Sequence, residues 1–235
     1  MAIIAGVDGC REGWICITKN LATGIIGSGV YAHAKSLFCQ DPLPDIIAID
    51  IPIGLTEKDP RQCDKEARKL LGSARRSSVF PAPIRPALGA KNRFQASKLT
   101  FEANGRKVGA QSWNIFRKIR EIDDALKDNL RLRERAYEVH PEVCFWALNH
   151  GAAMEYSKKT PEGRNARRQL VCRFFGKSAV DRVRSDRAAK KVKDDDIYDA
   201  FAALWTAQRI SKGKAVVIPD PPPLDSTGLC MGMWY

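Results

Sequence analysis

Two apolar segments that each run into an aspartate constrain this chain more than any other feature. The first is Ile3-Ile4-Ala5-Gly6-Val7-Asp8-Gly9, and the second is Ile46-Ile47-Ala48-Ile49-Asp50-Ile51-Pro52. Short runs so rich in Ile, Val and Ala read as strands buried on both faces, in a sheet covered by helices. An ionised carboxylate at the end of such a strand is costly unless it is paired or bound to a cation. A third acidic group, Asp194-Asp195-Asp196-Ile197-Tyr198-Asp199-Ala200, opens a helical pattern late in the chain. Carboxylates drawn together from separate elements point to a divalent-metal site.

The rest of the pattern supplies the elements that would bring them together. Residues 3–8, 13–19 and 24–31 read as consecutive strands, with turn signals at Gly9–Gly13 and Asn20–Gly24. Residues 46–51 form a fourth strand, and Arg135 to Val139 a fifth. Helices are expected at 33–39, 56–72, 91–103, 111–130, 141–149, 162–175, 179–190 and 194–211, with a short strand at 215–219. Three prolines between Arg75 and Pro86 exclude regular structure there. The tail from Pro221 is proline-rich and ends in aromatic residues. This order predicts one α/β domain over 1–235, a mixed sheet flanked by helices, with a helical insertion at about 55–130 after the fourth strand.

Charge is unevenly placed. The net charge is +12, and Lys158 to Lys193 alone holds 13 Lys/Arg against 3 Asp/Glu. So local a bias suggests a polyanionic partner, most naturally DNA or RNA, although a solvated basic helix surface has the same composition. Arg164, Arg167, Arg168, Lys190 and Lys191 are the candidate contacts in that segment. The Arg75-Arg76-Ser77-Ser78 turn adds guanidinium groups, hydroxyls and free backbone N–H groups suited to phosphate. The seven cysteines are scattered, with no CxxC, which fits reduced thiols better than a disulfide framework or a zinc site. No apolar run is long enough to span a membrane, and no signal-peptide pattern precedes the first strand, so a soluble, cytoplasmic protein is expected. Nothing in the sequence sets the oligomeric state, and a homodimer stays open.

The helix opened by Asp194 has a stripe of Ile197, Ala200, Phe201, Leu204 and Ala207. Asp196 sits beside that stripe, Asp199 is turned further from it, and Asp195 lies nearly opposite. Acidic residues also suit a helix's first turn on their own account, but Asp199 is too far in for that role. Asp8 and Asp50 could each end a strand with an Asx turn. Taken together, Asp8, Asp50, Asp196 and Asp199 form a set able to hold two Mg²⁺ or Mn²⁺ ions. Glu138 or Glu142, in Glu138-Val139-His140-Pro141-Glu142, could add a ligand, with Glu138 the candidate retained. His140 fits a proton shuttle or, better, a half-buried satisfied residue.

The motifs GVDGCREGW, IDIPIGL, RQCDKEARKLLG, SSVFPAP, KIREID, YEVHPEVCF and DDDIYDAFAALWTA occur in order over nearly the whole chain. In this the sequence resembles the family known as domain of unknown function 429, viewed as predicted nucleases with a ribonuclease-H-like fold. The resemblance implies roles for particular residues. An Asp on the first strand of that superfamily matches Asp8, and an acidic residue ending the fourth strand matches Asp50. A D-x-x-D-A pattern on the last helix of bacterial Holliday-junction resolvases matches Asp196-Ile197-Tyr198-Asp199-Ala200.

The expectation is therefore a Mg²⁺- or Mn²⁺-dependent nuclease acting on DNA or RNA. Rival readings are a non-catalytic nucleic-acid-binding or regulatory protein on the same fold, and an actin-like ATPase. The ATPase lacks support from a late Gly-rich adenosine loop.

Overall fold

The computed structural model describes residues 2–186 and 191–235. Strands β1 (Ile3–Cys10), β2 (Gly13–Asn20) and β3 (Ile26–Tyr31) form an antiparallel meander. Gly13 closes the first turn at φ 129°, where a Cβ would lie 2.1 Å from the Tyr31 carbonyl oxygen. After α1 (Ala34–Phe38) the chain crosses over, and β4 (Ile46–Ile49) joins β1 in parallel on its free side. Strand β5 (Ala136–Glu138) then adds in parallel outside β4. The five-stranded mixed sheet has the order β3-β2-β1-β4-β5.

The pleat sends alternate residues of β1 and β4 to opposite faces. Ala5, Val7, Ile47 and Ile49 point to one face, where they pack with Ile119, Ile122 and Leu126. These three belong to α5 (Ala110–Lys127). Ile4 and Ala48 point to the other, against Ala200, Phe201 and Leu204 of α10 (Asp194–Ile210). Gly6 decides how close that helix comes. A Cβ on Gly6 would sit 2.1 Å from the Leu204 nitrogen and 2.2 Å from the Ala200 oxygen, so the α10 backbone rests directly on β1. Ala200 and Ala203 keep the helix's own surface low there, and both are fully buried.

Between β4 and β5 lies a helical passage: α2 (Gln62–Arg75), α3 (Arg85–Leu88), α4 (Arg93–Asn104), α5 and α6 (Leu130–Arg133). The helix expected from Thr56 instead begins at Gln62, just beyond Pro60. Gly72, the expected stop, does break α2, with φ 58° and ψ −163°. The proline-rich stretch is less irregular than expected. A 3-10 turn spans Arg76–Ser78, and α3 carries Pro86 in its first turn, where a missing N–H costs nothing.

Helices α7 (Pro141–Leu148), α8 (Pro161–Phe175) and α9 (Lys177–Ser185) precede α10, so the helix expected over 179–190 ends by Ser185 among the described residues. The tail returns as β6 (Val217–Ile218) and β7 (Met233–Trp234). Within it, buried Asp225 accepts hydrogen bonds from Leu55 N (2.9 Å), Leu229 N (3.0 Å) and Arg85, which ties the tail to the helical passage. No helix among the described residues is long and apolar enough to cross a membrane.

The Gly6 contact gives a direct test. Gly6→Ala places a methyl against backbone atoms that cannot rotate away. Overpacking of this kind should cost about 3 kcal/mol. Thermal denaturation should show Tm falling by roughly 6–12 °C for a chain of this size. An unchanged Tm would mean that α10 stands further from β1 than described.

Candidate active site

Asp8 and Asp50 stand side by side because β1 and β4 run parallel and in register. Val7 pairs with Ile49, and the Asp50 amide donates to the Val7 carbonyl at 2.9 Å. Each aspartate lies two residues beyond one that faces α10, Gly6 or Ala48, so both carboxylates are sent to the α10 face. Asp8 is 5% exposed. Asp199, one turn before Ala203 on α10, is 1% exposed. Asp196, one turn earlier, is half-buried. The expected facing is thereby corrected: Asp199, not Asp196, is the deeper of the pair, next to the point where the α10 backbone at Ala200 and Leu204 rests on β1.

The four carboxylates act on one another. Asp8 is held well above the usual carboxylate range, first by burial and then by repulsion from Asp50 and Asp199. Burial pushes Asp199 up to about 6, against the opposing pull of Lys158. Asp196 is raised by burial and by Asp195.

Lys158, Glu142 and Arg167 complete the site. Lys158, in the loop before α8, donates from Nζ to Asp199 Oδ2 at 2.6 Å. Asp199, followed by Asp8 and Asp50, holds the Lys158 ammonium protonated well beyond an ordinary lysine. Glu142, on the first turn of α7, is buried and adds to the repulsion on Asp199. It pairs with Arg167, whose guanidinium also donates to the Gly163 carbonyl at 3.0 Å and the Tyr156 carbonyl at 3.1 Å. Two buried carboxylate oxygens, Asp199 Oδ1 and Glu142 Oε2, accept no hydrogen bond. Oxygen donors from β1, the end of β4 and α10, with a buried carboxylate oxygen left unpartnered, suit a hard divalent cation in kind, although among the described residues only Cys63, Asp64 and Glu138 bring three ligand atoms within 4.8 Å of one another.

Glu138 does not join this set. It pairs in register with Ile49 rather than with Asp50, so the pleat turns it away from α10. Its two oxygens accept from Arg61 at 2.7 Å each, and Oε2 also accepts from Ile53 N at 2.6 Å. Arg61 further binds Asp64 at 2.6 Å. Cys63, Asp64 and Glu138 have ligand atoms within 4.8 Å of one another, a spacing that suits a metal. The Arg61 guanidinium already supplies the positive charge there. His140 is likewise structural: Nδ1 accepts from Glu142 N at 3.2 Å and Nε2 meets the Ser78 carbonyl at 3.3 Å.

The basic residues divide in the same way. Arg167 is wholly buried, so it is not free to contact a nucleic acid. Arg75 is directed inward, with Nε donating to the Met154 carbonyl at 2.7 Å, and it anchors the loop that carries Lys158. Arg168 is engaged by Asp181 at 2.8 Å. Arg164 is half-buried and donates to the Lys159 carbonyl at 2.7 Å. Arg76 and Lys191 are exposed. Lys190 lies outside the described residues.

Two measurements check these assignments. Asp8 and Asp199 bind protons more tightly in the folded than in the unfolded chain. Their contribution to stability is therefore complete below the ordinary carboxylate pKa of about 4. That of Asp199 is lost as pH rises through about 6, and that of Asp8 as pH rises through its own raised value. In metal-free buffer Asp8→Asn should thus raise Tm by several degrees at pH 7.5 and leave it nearly unchanged at pH 4. An equal shift at both pH values would exclude charge as the cause. Arg167→Leu leaves buried Glu142 with only the longer Arg75 ion pair, at 4.0 Å, and should cost about 3 kcal/mol in chemical denaturation. Arg164→Gln should stay within about 0.5 kcal/mol of the native protein.

Comparisons with curated proteins and with solved structures return no match. The chain does match a known family over residues 6–224. The protein belongs to the family described as "Protein of unknown function (DUF429)".

Proposed function

We propose that the protein is a divalent-metal-dependent nuclease built on a ribonuclease-H-like fold. The observation that carries the reading is the convergence of Asp8, Asp50 and Asp199 under α10, with Asp199 Oδ1 buried and unpartnered. The sheet order β3-β2-β1-β4-β5, with β1 parallel to β4, supports the fold assignment. Asp8, Asp50 and Asp199 would hold Mg²⁺ or Mn²⁺, with Asp196 at the more open edge completing the shell of a second ion. When bound, the metal supplies positive charge against which a phosphodiester can be attacked by water.

The protein's own groups do the rest. Carboxylates raised toward neutrality can accept a proton from an attacking water. Lys158, half-exposed at the mouth of the site, can leave Asp199 and meet a phosphate oxygen. Arg164, Lys191 and Arg76 hold the backbone outside it.

A second reading, binding without cleavage, draws on the same lysine. Its ammonium already neutralises Asp199 and occupies a place where a metal would bring its charge.

A cleavage assay on single-stranded, duplex and branched nucleic acids separates the two. With Mg²⁺ or Mn²⁺ the native protein should cut at least one class. Asp8→Ala, Asp50→Ala and Asp199→Ala should each lower the rate at least a hundredfold. Asp195→Ala should be mild, since Asp196 and not Asp195 is among the carboxylates that act on Asp8. Binding without metal-dependent cleavage in the native protein would favour the second reading. Cleavage that survives Asp8→Ala in highly purified protein would contradict the nuclease assignment.

A further inference from the structure

Helix α4 carries a surface that the carboxylate site does not explain. Its inner face, Ala96, Leu99, Thr100 and Ala103, packs inward, three of these four against Phe116 and Ala87. Its outer face presents Phe94 at 82% exposure and Phe101 at 53%. The two rings lie seven residues apart on one side of the helix, about 10 Å along its axis. Lys98 projects between them, 67% exposed and 3.9 Å from Glu102. Arg93 precedes the stripe and Arg106 and Lys107 follow it, all exposed. Residues 91–107 hold five Lys/Arg and one acidic residue.

Large exposed rings on one helix face call for an occupant. A second copy of the chain would bring the same positive charge to the contact and be repelled. A membrane surface would need a broad apolar face, whereas these rings are separated by a lysine and the helix's own apolar side faces the protein. Rings alternating with cations match the alternation of base and phosphate in a single strand, where every base can stack and every phosphate is anionic. Duplex bases are already stacked on one another and offer nothing to these rings.

We propose that the outer face of α4 is a platform for single-stranded nucleic acid. Phe94 and Phe101 stack on bases, and Lys98, Arg93, Arg106 and Lys107 meet the flanking phosphates. The proposal rests on the reading of a nucleic-acid substrate and narrows it to unpaired strands.

Fluorescence anisotropy with labelled oligothymidine and a labelled duplex, both in EDTA so that no cleavage occurs, tests it. The Phe94→Ser/Phe101→Ser variant should keep the native Tm, because both rings are exposed. Its single-strand affinity should fall about tenfold or more, the loss expected for one or two stacked bases. Its duplex affinity should change less than twofold, and the salt dependence of single-strand binding should persist. Arg106→Gln/Lys107→Gln should instead flatten that salt dependence. Phe94→Trp should bind normally and show indole fluorescence quenched by the oligonucleotide. Equal single-strand affinity in the native and double-serine proteins would overturn the proposal. So would negligible native binding at low salt, or phenylalanine-dependent binding to phosphatidylserine vesicles with none to the oligonucleotide. Measuring cleavage in parallel keeps the two ideas apart: phenylalanine-dependent binding with no cleavage by any protein sustains α4 while the nuclease reading fails. Metal-dependent cleavage with unimpaired binding in the double-serine variant does the reverse.

Discussion

The contact of the α10 backbone with Gly6 is the constraint on which the rest of the structure depends. Only a glycine allows the Ala200 carbonyl and the Leu204 amide to approach β1 so closely. The approach carries Asp199 in beside Asp8, which the parallel register with β4 has already set beside Asp50. Several acidic groups thus enter a space from which water is largely excluded. Such a collection is tolerable only if it holds protons, recruits cationic side chains or binds a metal. The first two are visible: Asp8 and Asp199 are shifted upward, and Lys158 and Arg167 have been drawn in.

A second buried ionic centre shows what a purely structural solution looks like. Around Arg61, both oxygens of Glu138 and both of Asp64 receive hydrogen bonds, and the guanidinium also reaches the Ile53 carbonyl at 3.1 Å. Every carboxylate oxygen there has a partner. It fastens β5 to the segment after β4 and to the start of α2. The centre under α10 differs in kind, since Asp199 Oδ1 is buried and accepts no hydrogen bond, and Glu142 Oε2 has only the Arg75 guanidinium at 4.0 Å. Evolution or folding can leave such groups orphaned only at a cost, and a ligand that completes them offsets that cost.

Much of this was legible in the sequence, and the exceptions have physical causes. The strands were readable because β1 and β4 are apolar up to their aspartates, whereas the parallel pairing that sets Asp8 beside Asp50 is a long-range contact that strand pattern alone does not specify. The last helix was readable from its stripe, but not the side on which Asp199 lies. That depends on Gly6, a tertiary contact invisible to helical periodicity. Glu138 misled because the strand position of β5 was legible while its register was not, and a one-residue shift reverses the face. Arg167 misled because charge counted along a segment does not say which cations turn inward. Lys158 carried no signal beyond opening the basic segment, since it lies in an irregular loop held by Arg75 through Met154. The rings of α4 have no signature in the sequence, since exposure cannot be read from composition.

The central claim is that Asp8, Asp50 and Asp199 form a divalent-cation site rather than a proton-holding cluster. A crystal soaked in Mn²⁺ and measured at the manganese absorption edge tests it most directly. The account predicts an anomalous peak between these three carboxylates, with the Lys158 ammonium moved off Asp199, and no peak in crystals of Asp8→Asn. Manganese bound only at the Cys63, Asp64 and Glu138 group, or a site under α10 left with its Lys158–Asp199 bond intact and no metal, would contradict it.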